Sequence, residues 1–320
     1  MKVLMTDSDF PDLSLEREIF LEAGMELLEA QCRTEQEVID AARDCRALLV
    51  QYAPVTGRVM AALPRLGICS RLGVGYDTID ARAAALHGVW VANSPDYGVG
   101  EVATHALALL LACLRNVVRF DRDIHGGLWH FTSAGRIPRA SGLTLGILGL
   151  GRIGKRFAHL ARDLFGRVVA HDPNLIGGDF PLYVQPVGLT ELFEQADAIS
   201  IHCLLNDQTC GLIGDALLAK MKPGSYLVNT ARGAVIDEEA LVRALEGNRL
   251  AGVGLDVLPT EPVPAASPLL KDPRVVLTPH AAFYSVDAEI ELRRKAAGNI
   301  VSWMKTGRPD YPVVHGTRKP

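Results

Sequence analysis

Three residues far apart in the chain could together do polar chemistry on a small acid. Arg232 stands in "TARGAVID", Glu261 in "LPTEPVP" and His280 in "LTPHAAFYS". A guanidinium presents a planar fork of N–H donors that can grip a carboxylate and the carbonyl oxygen beside it. An imidazole can give that oxygen a proton or take one back. A neighbouring carboxylate favours the protonated imidazole and holds its ring. Guanidinium and imidazolium together can carry an oxyanion's charge, so no metal is expected. Each residue also has a plainer use: Arg232 as a surface charge, Glu261 as a loop cap, His280 as a helix cap.

The elements around them decide between these uses. Each of the three follows an apolar β-type run: "SYLVNT", "GVGLDV" and "RVVL". These belong to a series that opens with "TLGIL", "RVVAHD" and "DAISIHC" and alternates with helical patterns such as "DEEALVRALEGN". Such alternation implies parallel strands with crossover helices, and ligands sit at the carboxyl ends of such strands. Three strands would then deliver the three side chains to one edge.

The same series carries "GLGRIG", with Gly149, Gly151 and Gly154 in G-x-G-x-x-G spacing between a strand and a helix. The first glycine permits a tight turn, the second lets backbone approach a pyrophosphate, and the third lets helix and strand pack closely. Asp172 lies 23 residues beyond Gly149 at the end of the next strand, where a carboxylate can bind ribose hydroxyls. Its charge opposes a 2′-phosphate, and no Lys or Arg directly follows it, so NAD is expected rather than NADP. The alternative for Asp172 is a turn residue before Pro173.

An earlier series, "KVLMT", "ALLVQY", "LGICSR" and "VWVANS", alternates with helical stretches such as Leu15 to Ala23. A long apolar helix follows, roughly Val102 to Val118, and an amphipathic stretch from Ser285 to Lys305 is long enough to return to the first series. The expected fold is α/β, with two Rossmann-like or flavodoxin-like domains built on parallel sheets. The cofactor domain (98–286) is inserted in a substrate domain (1–97 and 287–320). A chain of 320 residues is also longer than one core usually fills.

Composition narrows the partners. The chain is 48% hydrophobic and 22% charged, with a net charge of −4 and no basic stripe, so neither nucleic acid nor an anionic membrane is expected. Six cysteines show no metal-binding spacing. The start, "MKVLMTDSDF", has too short an apolar core for a signal peptide, and "ALALLLACL" is about half a membrane span. A soluble, cytoplasmic protein is expected. The closing "GTRKP" reads as a frayed basic tail.

The motifs "GLGRIG", "NTARGAVIDEEAL", "GLDVLPTEP" and "LTPHAAFYS", in that order, resemble the D-isomer-specific 2-hydroxyacid dehydrogenase family, as do "RLGVGYDTID" and "VANSP". The wording "HAAFYS" is closest to the C-terminal-binding-protein-like branch. The resemblance implies Arg232, Glu261 and His280 as the catalytic set acting on a 2-keto or 2-hydroxy acid. It also implies backbone N–H groups of Val74 and Gly75 on the substrate carboxylate. NAD contacts would come from Val102, Arg152, Ile153, Asp172, the loop from Cys203 and Leu204 to Thr209, Thr230, Ala231, Asp256 and the His280 region. Tyr52, Tyr76 and Phe283 are candidate pocket walls. A homodimer built around the cofactor domains is implied, and the apolar Val102 to Val118 helix is consistent with burial there.

Two departures stand out. Gln51, in "VQYAPVT", occupies the place of an Arg that holds phosphate in the family's phosphoglycerate dehydrogenases. Thr104, in "VATH", replaces the usual Glu. The alternatives to a D-2-hydroxyacid dehydrogenase are an NAD(H)-sensing corepressor-like scaffold and a phosphoglycerate dehydrogenase.

Overall fold

The computed structural model describes residues 1–320. Along the chain, strands β1 (Lys2–Met5), β2 (Glu26–Glu29), β3 (Ala47–Val50), β4 (Ile68–Arg71) and β5 (Trp90–Ala92) alternate with helices α1 (Ser14–Glu22), α2 (Glu35–Ala41), α3 (Gly57–Ala62) and α4 (Ala81–His87). Next come α5 (Val99–Leu114) and α6 (Val117–His125). Strand β6 (Thr144–Leu148), helix α7 (Arg152–Ala161), β7 (Arg167–His171), β8 (Gln185–Pro186), α8 (Leu189–Gln195), β9 (Ala198–Ile201) and α9 (Asp215–Leu218) follow. The chain then runs through β10 (Ser225–Asn229), α10 (Glu238–Glu246), β11 (Leu250–Leu255), β12 (Val275–Leu277), α11 (Val286–Thr306) and β13 (Pro312–Val314).

Two compact units result, one of residues 1–97 with 285–320 and one of residues 98–284. The chain re-enters the first unit at Ser285, two residues before the expected 287. Ser285 accepts the Ala288 N–H at 3.0 Å and so caps α11. That leaves His280 outside the helix and removes capping from its possible uses.

The first unit's sheet runs β2-β1-β3-β4-β5-β13, parallel except for the antiparallel β13. Its strand order over β1–β5 is the flavodoxin-like 2-1-3-4-5. The second unit's sheet runs β8-β7-β6-β9-β10-β11-β12, wholly parallel. Numbered within the unit this is 3-2-1-4-5-6-7, the Rossmann order, and it reverses direction between β6 and β9. Strands β9 and β10 are buried at every position, as parallel strands covered on both faces must be. Helix α7 turns Gly154, Phe157, Ala158 and Ala161 inward at helical spacing.

The apolar helix differs from its expected bounds. It ends at Leu114, Asn116 takes a φ of 53°, and α6 leaves at 58° to α5. Its face of Ala103, Ala106, Leu109, Leu110, Cys113 and Leu114 is buried within the second unit, against α7, β10 and β11. No single helix is long and apolar enough to cross a membrane.

The tail is not frayed. Thr317 and Arg318 N–H groups both donate to the Gly88 carbonyl at 3.0 Å. The Arg318 guanidinium donates to the Leu63 and Leu66 carbonyls, and Trp303, fully buried, donates to the Arg318 carbonyl at 3.4 Å. Backbone acceptors left at the end of α4 and in the loop before β4 are what the basic tail satisfies.

Candidate active site

The turn after β10 carries Arg232. Asn229, buried at the strand end, accepts the Ala231 N–H at 2.9 Å and donates to the Arg232 carbonyl at 2.9 Å, bracketing Thr230–Arg232. Arg232 Nη1 donates to the Ala231 carbonyl at 2.8 Å. Gly233 comes next, and any Cβ there would overlap the Leu258 and Pro259 backbone. Only glycine lets the Arg232 turn lie so close to the loop that leads to Glu261.

Glu261 then faces two ways. One oxygen accepts the Leu258 N–H at 2.9 Å, so it does cap its own loop, and the other meets His280 Nδ1 at 2.7 Å. Burial pushes the Glu261 carboxyl up. The His280 hydrogen bond, the Leu258 N–H and the charges of His280 and Arg232 outweigh burial, and the net direction is down. Glu261 is therefore an anion beside the imidazole, within the field of the guanidinium.

His280 sits in the turn after β12 with a left-handed φ of 52°, a region side-chain-bearing residues seldom enter. Its N–H donates to the Asp256 carbonyl at 2.8 Å. The Asp256 carboxylate, 2% exposed, accepts from Thr278 Oγ1 at 2.6 Å, from the Ala281 N–H at 2.9 Å and from the Ala282 N–H at 2.9 Å. Asp256, expected as a cofactor contact, thus has both oxygens engaged by the His280 turn. Phe283, expected to wall a pocket, lies one residue beyond that turn, near Gly98.

The glycine fingerprint lies at the point where the strand order reverses. Gly149 has a φ of 91°, and a Cβ there would come within 2.6 Å of the Cys203 nitrogen. A Cβ on Gly154 would overlap the Gly149 carbonyl, whereas one on Gly151 would meet nothing within 4 Å. Gly151 is the N-cap of α7 and carries no capping side chain, and Arg152 and Ile153 form the first turn. The helix N–H groups therefore face open space that suits an anion. Asp172 accepts the Leu150 N–H at 2.8 Å, next to that turn, and with its other oxygen the Asn174 N–H at 3.0 Å. It is a turn former as well as a carboxylate at the end of β7.

The remaining cofactor candidates lie on the same unit. Val102 is in the first turns of α5. The loop after β9 holds Cys203, the exposed Leu204 and Thr209, whose hydroxyl donates to the Leu204 carbonyl at 2.6 Å. Burial pushes the Cys203 thiol up to about 11 and the adjacent His202 down to about 3, so neither is a ready nucleophile or proton carrier near neutrality. The Thr230 hydroxyl is buried without a hydrogen-bond partner. An open helix N-terminus, an unpaired buried hydroxyl and a strand-end carboxylate together fit a dinucleotide. No cluster of His, Cys, Asp and Glu is placed to hold a metal ion.

In the first unit, Val74, Gly75 and Tyr76 form the turn after β4. Asn93 Nδ2 donates to the Val74 carbonyl at 2.6 Å and the Ser94 N–H to the Gly73 carbonyl at 2.9 Å. Gln51 is 4% exposed, and its side-chain oxygen accepts the Asp9 N–H at 3.0 Å. Asp7, not anticipated, accepts the N–H groups of Gln51, Tyr52 and Ala53 at 2.7–3.2 Å. The other unanticipated residues are His105 and Thr278, which touch at 2.9 Å. Thr104 bonds back to the Gly100 and Glu101 carbonyls of its own helix at 2.8 and 2.9 Å, a local use that asks nothing of the lost Glu.

Comparison with known proteins bears on the chain as a whole. Residues 107–282 match the family described as D-isomer specific 2-hydroxyacid dehydrogenase, NAD binding domain. The chain is 37% identical over 278 residues to a glyoxylate reductase of Korarchaeum cryptofilum, covering 85% of this chain and 83% of that one. The chain belongs to the D-isomer-specific 2-hydroxyacid dehydrogenase family. It is also 39% identical over 255 residues to a D-3-phosphoglycerate dehydrogenase of Mycobacterium bovis, covering 79% of this chain but 48% of that one, so the dehydrogenase spans about half the length of that relative. A D-lactate dehydrogenase of Aquifex aeolicus, solved with NAD and lactic acid, superposes with a TM-score of 0.88 at 25% identity, covering 98% of this chain and all of the other. Another structure of this fold is of an NADPH-dependent reductase. The dehydrogenase described here is an NAD-dependent oxidoreductase that interconverts a D-2-hydroxy acid and a 2-keto acid. A scaffold role is not favoured by these relatives.

Proposed function

We propose that His280 is the acid/base of this reaction, with Glu261 orienting it and Arg232 holding the substrate's carboxylate and carbonyl oxygen. One observation carries the assignment. His280 Nδ1 is committed to Glu261 at 2.7 Å, which leaves Nε2 as the ring nitrogen that exchanges a proton. When bound, the nicotinamide cofactor would take up the hydride as NAD or supply it as NADH. As a keto acid is reduced, Nε2–H gives its proton to the carbonyl oxygen while the Glu261 anion steadies the imidazolium beforehand. The Arg232 guanidinium offsets the charge that gathers on that oxygen. In the other direction Nε2 takes the hydroxyl proton.

For the cofactor we assign the turn Gly149–Gly154 and the first turn of α7, with Asp172 on the ribose and Thr230 as a polar contact. For the first unit we assign substrate binding, with the Val74–Gly75 turn offering N–H groups to a carboxylate and with Tyr52 and Tyr76 as apolar walls. The substrate is a small or apolar 2-keto acid of the glyoxylate and pyruvate class rather than a phosphorylated one. Gln51 supports this, since its side chain is committed to Asp9 and carries no charge to meet a phosphate. A homodimer is proposed on separate grounds. Trp129 is 86% and Phe131 84% exposed, and Val117, Ile124 and Leu128 in the preceding stretch of chain are exposed too, apolar side chains that a second copy would cover. Six free cysteines, four of them buried, suit a cytoplasmic location.

The test is an NADH-coupled panel of glyoxylate, pyruvate, longer 2-keto acids and 3-phosphohydroxypyruvate, run with wild type and His280→Ala. The variant is expected to lose about a hundredfold to ten-thousandfold in turnover with NADH affinity intact. Full activity in His280→Ala, or a clear preference for the phosphorylated compound, overturns the corresponding assignment.

A further inference from the structure

The His105 ring on α5 reaches the His280 turn through two other side chains. His105 Nε2 lies 2.9 Å from Thr278 Oγ1, and Thr278 Oγ1 lies 2.6 Å from Asp256 Oδ1. Asp256 can only accept, so the single Thr278 hydroxyl proton is spent on it. Thr278 must then accept from His105, which fixes that ring with its proton on Nε2. The chain of donors runs His105, Thr278, Asp256, and it ends on the carboxylate that also accepts the Ala281 and Ala282 N–H groups. His105 Nε2 itself lies 3.5 Å from Asp256 Oδ1.

We propose that His105 is a positioning residue for His280, acting through Thr278 and Asp256. The proposal rests on the assignment of His280 as acid/base. The Glu261 contact fixes the rotation of the His280 ring, but it does not fix where the backbone carries that ring. The backbone takes a left-handed φ of 52°, which persists only when surrounding contacts over-determine it. Asp256 supplies those contacts, and Asp256 is aimed by Thr278 and His105 on one side and by the turn's own N–H groups on the other. A side chain on α5 thereby sets the reach of Nε2 without touching the substrate.

His105→Leu keeps the bulk of the ring and removes the donor. It is expected to lower kcat for keto-acid reduction by about tenfold or more, since small displacements of a reacting group are costly, with KM and NADH affinity unchanged. His105→Gln, whose amide can still donate to Thr278, should restore most of the loss. Thr278→Val should match His105→Leu, and the double variant should be no worse than either, because both cut one chain. Thr278→Ser keeps the hydroxyl and should behave as wild type, a control that does not depend on how the other variants fold. Wild-type kcat in His105→Leu, a Gln variant no better than Leu, or losses that multiply in the double variant would overturn the proposal. His280→Ala separates the two ideas. If it stays active, the acid/base assignment fails; if it is inert while His105→Leu is unimpaired, only the role of His105 fails.

Discussion

The turn after β12 and the turn after β6 leave the same edge of the same sheet, yet they are made by opposite means. Around His280 the bonding is dense: a buried carboxylate accepts three donors, a backbone carbonyl a fourth, and Glu261 holds the ring. Around Gly149–Gly154 side chains are left out, and the space at Gly151 stays open. A proton-transferring atom works only within a few tenths of an ångström, so its support is built in side chains. A phosphate-binding turn works by exposing backbone N–H groups, so its support is the absence of side chains. On the proposed assignment, the difference teaches that the His280 turn can be degraded gradually, whereas the glycine turn would be blocked by a single methyl.

The largest test of this contrast is Arg232→Lys, which keeps the charge and removes the fork. A loss of about 2–4 kcal/mol in transition-state stabilisation is expected, on the order of thirty- to a thousandfold in kcat/KM, with NADH binding little changed. A fall of less than threefold would return Arg232 to the status of a surface charge. Gly151→Ala probes the opposite turn. The added methyl meets no protein atom, so the melting temperature should stay put. NADH affinity should nevertheless drop by about tenfold or more, because the methyl would stand where the pyrophosphate is proposed to approach. Equal loss of stability and affinity would mean that the turn is not open to a ligand. Asp172 supplies a third reading: NADH should bind about tenfold tighter than NADPH, and equal affinities in a fluorescence titration would remove the argument from its charge.

The smallest effect concerns pH. The Glu261 carboxyl lies below its ordinary range, so the Glu261–His280 pair is intact above that range and is lost as pH falls through the depressed value. Wild-type reduction should therefore hold down through about pH 4.3, the usual glutamate value, and bend only below it. Glu261→Gln should lower the plateau and abolish that acid bend. At higher pH the two directions should diverge, because reduction consumes a proton and oxidation releases one. Parallel profiles in the two directions would show that His280 is not the proton carrier.

Much of this was legible in the sequence because parallel strands buried on both faces read as unbroken apolar runs. Runs such as "SYLVN" and "LAGVGL" announce themselves, and Arg232, Glu261 and His280 fall in the loops after β10, β11 and β12. What escaped notice lies at sheet edges. Strand β2 reads "ELLE", with both glutamates exposed, β8 is two residues long, and β13 pairs on one side only. An edge strand need not be apolar throughout, so its pattern is weak. The break after α5 rests on Asn116 in a left-handed conformation, a signal of one residue in an otherwise apolar helix. His105 and Thr278 were missed because their partner, Asp256, is remote in sequence from His105. The tail misled because Arg318 and Lys319 look solvated, whereas their carbonyls accept from Trp303 and from the Arg46 guanidinium, and the Arg318 N–H and guanidinium fill the Gly88 and Leu63 carbonyls.

That tail has a consequence for how the chain comes into being. The first unit draws on residues 1–97 and again on 285–320, while the second uses one unbroken stretch. As a ribosome releases the polypeptide, the whole of the second sheet is available before α11 and β13 have been made. The first unit must wait, with β5 lacking its last neighbour and the pocket for Trp303 empty, until residues 285–320 have been added. Domains generally fold as units in the order in which they emerge. The segment that starts second is therefore finished first, and the nascent first unit stays incomplete throughout the synthesis of residues 98–284.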